Sequence, residues 1–183
     1  MPSQKTEIEN LREECLHEET VFEGRMIRLN RDIVRLPNGV ETTREVVRHP
    51  GAVALVALAG DELLLVRQYR YPIDQETLEI PAGKIDPGET PEVCANRELR
   101  EETGYQGTLT HLGTFYSTPG FTDEIMHLYC ARDLIWAPLT ADEDEFLRVV
   151  RIPWGEALRK AQNGEFNDAK TILGILMQAG KES

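Results

Sequence analysis

Glu98, Glu101 and Glu102 stand together in the segment ANRELREETGY, close enough for their carboxylates to act on one ligand. Wound as a helix at about 100° per residue, the three fall on an arc of roughly 100°. That arc borders a core face made by Ala95, Leu99 and Thr103, and Arg97 and Arg100 point elsewhere. Glu98 and Glu102 are like charges one turn apart, which costs a few tenths of a kcal/mol in an isolated helix. A sequence shaped for helix stability alone would alternate Glu with Lys at that spacing. Clustered carboxylates are instead the hard oxygen donors that Mg²⁺ or Mn²⁺ takes. An acidic solvated face is the bland account of any Glu-Glu pair. Against it stands the preceding stretch IPAGKIDPGE, residues 80–89, a glycine- and proline-punctuated loop that can bring backbone groups close to a ligand.

The charge of the whole chain sharpens this. Its 183 residues hold 20 basic and 32 acidic side chains, a formal net charge of −12. Such a surface opposes non-specific nucleic-acid binding, which depends on Lys and Arg neutralising phosphates. It also repels a small anionic substrate unless metal ions or local arginines reverse the sign. A phosphate-handling protein of this composition therefore needs cations. No apolar run approaches the ~20 residues of a membrane span. The polar start MPSQKTEIENLREE lacks the apolar region of a secretory signal. Cys15, Cys94 and Cys130 are scattered and odd in number, as in a reducing compartment, so a cytoplasmic location is expected.

The elements that must position these residues follow from pattern. Residues 4–19 suggest a short charged helix or a loose arm. Strand-like alternation from Val21 to His49 is broken by Pro37-Asn38-Gly39, a hairpin turn. A second hairpin joins AVALVAL (52–58) to ELLLVRQYR (62–70). The strongest helix spans 91–103, with Thr90 as N-cap, Pro91 at the first helical position, Glu92 near the positive end and Gly104 beyond the last turn. Strand-like stretches near 107–117, 124–132 and 146–152 precede two helices, WGEALRKAQ and DAKTILGILMQA, separated by Asn163-Gly164. One domain with mixed strands and a few helices indicates an α+β fold, a mixed α/β/α sandwich.

Gly83, Glu89 and then Arg97-Glu98-Leu99-Arg100-Glu101-Glu102-Thr103-Gly104-Tyr105 have the identities and spacing of the Nudix box. The chain is similar to Nudix hydrolases; it departs from their pattern at Tyr105, where an aliphatic residue is usual. The resemblance implies a Nudix fold with Glu98 and Glu102 as main metal ligands, Glu101 supporting them and the Ala82 carbonyl as a backbone ligand. Arg97 would orient the carboxylates, with Glu89 as a partner. Two to three divalent ions, Mg²⁺ or else Mn²⁺, would offset the charge of a diphosphate, polarise its phosphorus and activate a water.

The flanking segments resemble the ADP-ribose pyrophosphatases of this superfamily. Ser117-Thr118-Pro119-Gly120-Phe121-Thr122-Asp123-Glu124 matches their S-P-G-F-x-D-E text, with Thr118 in place of Ser. Arg44-Glu45, Arg67 to Arg70, Leu78 to Gly83, Asp142 to Glu145 and Asp168-Ala169-Lys170-Thr171 resemble them too. By that likeness Arg70 contacts the phosphates and Glu79 the substrate, Thr118 and Gly120 lie in the binding segment, and Glu124 serves the terminal ribose or its metals. Arg44 and Glu45 would meet the adenine across a dimer interface. The general base is expected from the acidic loop, Glu143 first, with Glu145 as a third-metal ligand or the alternative base. The organisation implied is an acidic arm (1–20), N-terminal strands exchanged in a homodimer (21–48) and a Nudix hydrolase domain (49–183). The expected reaction is hydrolysis of ADP-ribose to AMP and ribose 5-phosphate, without nucleic-acid or membrane partners. A hydrolase of another nucleoside diphosphate sugar, such as GDP-mannose, and a non-catalytic ADP-ribose-binding module are the alternatives.

Overall fold

A computed structural model describes residues 10–140 and 146–182. It divides into two compact units. One runs to His49 and includes Thr118–Glu124; the other comprises Pro50–Ser117 and the chain from Ile125.

The first unit is a four-stranded antiparallel sheet of β1 (Glu14–His17), β2 (Thr20–Glu23), β3 (Arg28–Arg35) and β4 (Glu41–Arg48). β3 pairs with β4 along its length, and with β1 and β2 at its two ends. The β3–β4 hairpin turns at Gly39, whose φ of 84° suits a residue without a Cβ. The helix or loose arm expected over residues 4–19 is corrected in its described part, because Glu14–His17 is a strand. The physical reason is non-local. Glu14 pairs with Arg35 at 2.8 Å, Glu19 with Arg31 at 2.8 Å and Glu13 with Arg44 at 2.6 Å, so the acidic stretch lies against strand-borne arginines. These pairs are exposed, so water and salt screen them and each contributes little. Between residues 118 and 124 the chain returns to β4: Val47 donates to the Phe121 carbonyl at 2.8 Å, and Asp123 donates to the Val47 carbonyl at 3.3 Å.

The second unit contains β5 (Ala52–Ala59), β6 (Glu62–Arg70), β7 (Gln75–Glu79), β8 (Ala82–Lys84), α1 (Pro91–Thr103), β9 (Tyr105–Tyr116), β10 (Ile125–Trp136), β11 (Leu147–Pro153), α2 (Trp154–Gln162) and α3 (Ala169–Glu182). Its mixed sheet has the order β11-β6-β5-β10-β9, with β7 on β6 and β8 on β5; only β5 and β10 run parallel. The uninterrupted apolar text of β5 is explained by burial on both faces. Ala54, Val56 and Leu58 pack with Ala157, Ala161 and Ile175 of α2 and α3. Val53, Leu55 and Ala57 pack with Cys94, Ala95 and Leu99 of α1. The sheet is thus a layer between α1 and the α2–α3 pair, the expected sandwich. The Thr90 hydroxyl accepts from the Val93 amide at 3.3 Å, and Gly104, at φ 80°, returns its amide to the Arg100 carbonyl at 3.1 Å. These caps fix both ends of the helix that carries the glutamates.

Candidate active site

Because α1 turns Ala95 and Leu99 into the core, its next-door positions go under cover with them. Glu98 is 6% exposed and Glu102 4%, and Glu101 is half-buried. Burying carboxylates is costly unless cations and donors meet them. Arg97 supplies much of this. It donates to Glu89 through Nε (2.8 Å) and Nη2 (2.9 Å), and through Nη1 to Glu98 (2.7 Å) and Glu101 (2.8 Å). Its Nη2 also reaches the Lys84 carbonyl at 3.1 Å. Arg97 thus pairs with Glu89 as the resemblance implied, and only its helical-wheel placement away from the carboxylates is corrected: a long side chain with five donors curls back over the helix surface. The bonds to Glu89 and its neighbours raise the Arg97 pKa further. Arg97 in turn holds the Glu89 carboxyl down to about 2 against the effect of burial.

The loop side of the site is fixed by contact. Ala82 donates its amide to Glu102 Oε2 at 2.9 Å. A Cβ on Gly83 would lie 1.9 Å from Glu98 Cδ and 2.0 and 2.3 Å from its oxygens, so the carboxylate rests on bare backbone. The Ala82 carbonyl belongs to the peptide that ends at this glycine. Buried carboxylate oxygens on a backbone cradle, with Glu89, Glu98 and Glu101 sharing one guanidinium, fit hard divalent cations. Burial first, then the Glu98 charge, push the neighbouring Cys94 thiol up to about 12. Elsewhere, Cys15, Glu18 and Asp32 bring ligand atoms within 4.8 Å of one another. There Arg48 already stands 3.0 Å from Asp32 and 3.7 Å from Glu18, so a guanidinium meets that charge.

Replacing Arg97 by Met leaves these carboxylates without their guanidinium. Removing one partner of a buried pair costs about 3–5 kcal/mol. The variant is expected to lose about 6–20 °C in Tm when EDTA is present, and to recover part of that in millimolar Mg²⁺. Differential scanning calorimetry with and without Mg²⁺ checks this; an equal loss in both conditions would count against cation binding here.

Arg70, at the end of β6, donates Nε and Nη2 to the two oxygens of Glu79 on β7, at 2.8 and 2.6 Å. Glu79 is 2% exposed and also receives Thr77 and Lys170. Burial pushes its pKa up, but Arg70 and Lys170 outweigh that and bring it down to about 2. A depressed folded pKa means stability that is present above the unfolded value and lost as pH falls through the folded one. Glu79→Gln should therefore show a smaller fall in Tm between pH 5 and pH 2 than the parent, measured by thermal melts across that range.

Arg44, Glu45, Thr118, Gly120 and Glu124 belong to the first unit. Arg44 is engaged by Glu13 through two bonds (2.9 and 2.6 Å), and Glu45 is exposed opposite Arg31. The Thr118 carbonyl accepts the Phe121 and Thr122 amides at 3.3 and 3.2 Å, making the turn that holds Gly120. Glu124 Oε1 lies 3.8 Å from His49 Nδ1. Asp123 accepts the His49 amide at 2.8 Å and faces Arg48 at 3.3 Å, anchoring that segment; neither Asp123 nor Arg48 was singled out from sequence. Glu143 and Glu145 lie outside the described residues.

A helix-borne glutamate cluster facing a glycine loop, on a mixed sheet between helices, is the kind of site that can hold divalent cations against an anionic substrate. Residues 47–173 match the NUDIX domain, and residues 13–47 match the nucleoside diphosphate sugar hydrolase N-terminal domain. The chain belongs to the Nudix family and is a Nudix pyrophosphatase. It is 41% identical over 180 residues to an ADP-ribose pyrophosphatase of Bacillus subtilis (strain 168), covering 96% of this chain and 97% of that one. It is 43% identical over 167 residues to a methanol dehydrogenase activator of Bacillus methanolicus, covering 89% and 90%. Among solved structures an ADP compounds hydrolase superposes with a TM-score of 0.82 at 29% identity, over 93% of this chain and 95% of that one. Among the described residues, no helix is long and apolar enough to cross a membrane.

Proposed function

We propose that the protein hydrolyses the diphosphate of ADP-ribose to AMP and ribose 5-phosphate, using two to three Mg²⁺ ions. The observation that carries this is the near-full-length likeness to an ADP-ribose pyrophosphatase, which spans the N-terminal sheet as well as the Nudix box. Glu98, Glu102 and the Ala82 carbonyl would hold the cations, Glu101 would share them, and Arg97 keeps the carboxylates in place. Divalent ions held there would polarise the scissile phosphorus, lower the pKa of a bound water and offset the diphosphate charge.

Arg70 presents its guanidinium to the phosphates, the planar donor set suited to them. Glu143 takes the proton from the attacking water as its oxygen bonds to phosphorus. The bridging P–O bond breaks and its electrons leave with the other phosphate. Glu145 is the third-metal ligand or the alternative base. Thr118 and Gly120 lie in the substrate-binding segment, and Glu124 serves the terminal ribose or its metals. Arg44 and Glu45 serve the adenine across a homodimer that exchanges residues 21–48, in the cytoplasm. Glu143→Gln should lower kcat by about 10²–10⁴ if it is the base, and the same change at Glu145 separates the two candidates in single-turnover assays.

A product-release panel with ADP-ribose, GDP-mannose, diadenosine polyphosphates and 8-oxo-dGTP tests the substrate. ADP-ribose should give the highest kcat/KM. Equal or faster turnover of any other compound would defeat the assignment.

A further inference from the structure

The segment Asp168-Ala169-Lys170-Thr171 opens α3, and nothing so far gives it a task. Lys170 and Thr171 turn toward the strand that feeds the metal loop. Lys170, with 13% of its side chain exposed, donates Nζ to Glu79 Oε2 and, at 3.0 Å, to Asp168. Thr171, fully buried, accepts the Ile80 amide at 2.9 Å. β7 ends at Glu79, so the Ile80 amide has no ladder partner along that strand and takes this hydroxyl instead. Asp168 holds the turn by accepting the Thr171 amide at 3.0 Å. Two residues beyond Ile80, the Ala82 amide is already committed to Glu102.

Glu79 sits at the centre of this arrangement. Its carboxylate receives Arg70, Lys170 and Thr77, and three donors from three directions leave it one orientation. Arg70 spends its Nε–Nη2 edge on that carboxylate, while 41% of its side chain stays exposed. The Nη1 side of the fork takes no part in the pair. We infer that Lys170 is a positioning residue for the diphosphate. By fixing Glu79 from behind, it sets the plane of the Arg70 guanidinium and leaves the outer edge of that guanidinium for phosphate oxygens. This rests on the assignment of Arg70 to the phosphates made above. It predicts an effect on substrate affinity and little on the chemical step, because Lys170 touches none of Glu98, Glu101 or Glu102.

The test compares the parent with Lys170→Met, Lys170→Gln and Lys170→Arg. Steady-state kinetics on ADP-ribose are paired with calorimetric binding of α,β-methylene-ADP in Mg²⁺. Lys170→Met should raise KM and Kd about tenfold with kcat within about threefold of the parent. Lys170→Arg should restore both constants to within about threefold, and Lys170→Gln, which keeps a donor without the charge, should fall between and covers the case that the Met variant does not fold. A fall in kcat at unchanged KM and Kd, or no change in any constant, would overturn the role. A parent that ignores ADP-ribose but binds the analogue in a Lys170-dependent way sinks the substrate and keeps the role. A parent that hydrolyses ADP-ribose equally well with Met at position 170 does the reverse, and one that binds no diphosphate sinks both.

Discussion

Glu102→Gln is expected to lower kcat on ADP-ribose by about a thousandfold, roughly 4 kcal/mol of transition-state stabilisation. The fold should hold. Glutamine has nearly the volume of glutamate and keeps an acceptor oxygen for the Ala82 amide, the bond that Glu102 makes at 2.9 Å. What is lost is charge. Glu102 is 4% exposed, so its carboxylate acts in a medium where water does little to screen it. A cation that lost this ligand would lose both affinity and position. The result should be a kcat that excess Mg²⁺ does not restore, with Tm within a few degrees of the parent. Activity within threefold of the parent would remove Glu102 from the metal site.

Gly83→Ala should lower kcat at least a hundredfold without touching a charged group. Ordinary carbon contacts are about 3.5–4.0 Å, yet the new methyl would start 1.9 Å from Glu98 Cδ. The atoms it meets are the far end of a flexible side chain, so Glu98 retreats and the backbone stays. A displacement on the order of 1 Å in a positioned group costs about 10² in rate. The variant should therefore melt close to the parent, bind Mn²⁺ more weakly in titration and turn over slowly. A fully active alanine variant would show that Glu98 does not need this cradle.

Several parts of this arrangement were legible in the sequence because their causes are local. Thr90, Pro91 and Gly104 bracket α1 where the apolar spacing begins and ends, and Asn38-Gly39 marks a hairpin that needs no other element. The apolar runs 52–58 and 62–70 around Ala59-Gly60-Asp61 marked the β5–β6 hairpin. Arg97 was misplaced because a helical wheel locates Cα atoms, while a guanidinium several bonds away goes where carboxylates are. Glu14–His17 was misread because its strand pairing depends on arginines of β3 and β4, and a charged stretch has no apolar alternation to betray it. The Glu79–Lys170 contact joins residues 91 positions apart, beyond any local pattern. The same holds for Asp123, whose bonds to His49 and Arg48 place its segment with the N-terminal sheet.

The proposed chemistry requires divalent cations among Glu98, Glu102 and the Ala82 carbonyl. Anomalous diffraction from crystals soaked in Mn²⁺ with α,β-methylene-ADP tests it most directly. The strongest anomalous peaks are expected within about 2.3 Å of those carboxylate oxygens. Peaks confined to other groups, such as Cys15, Glu18 and Asp32, with the α1 carboxylates bare beside a bound analogue, would contradict it.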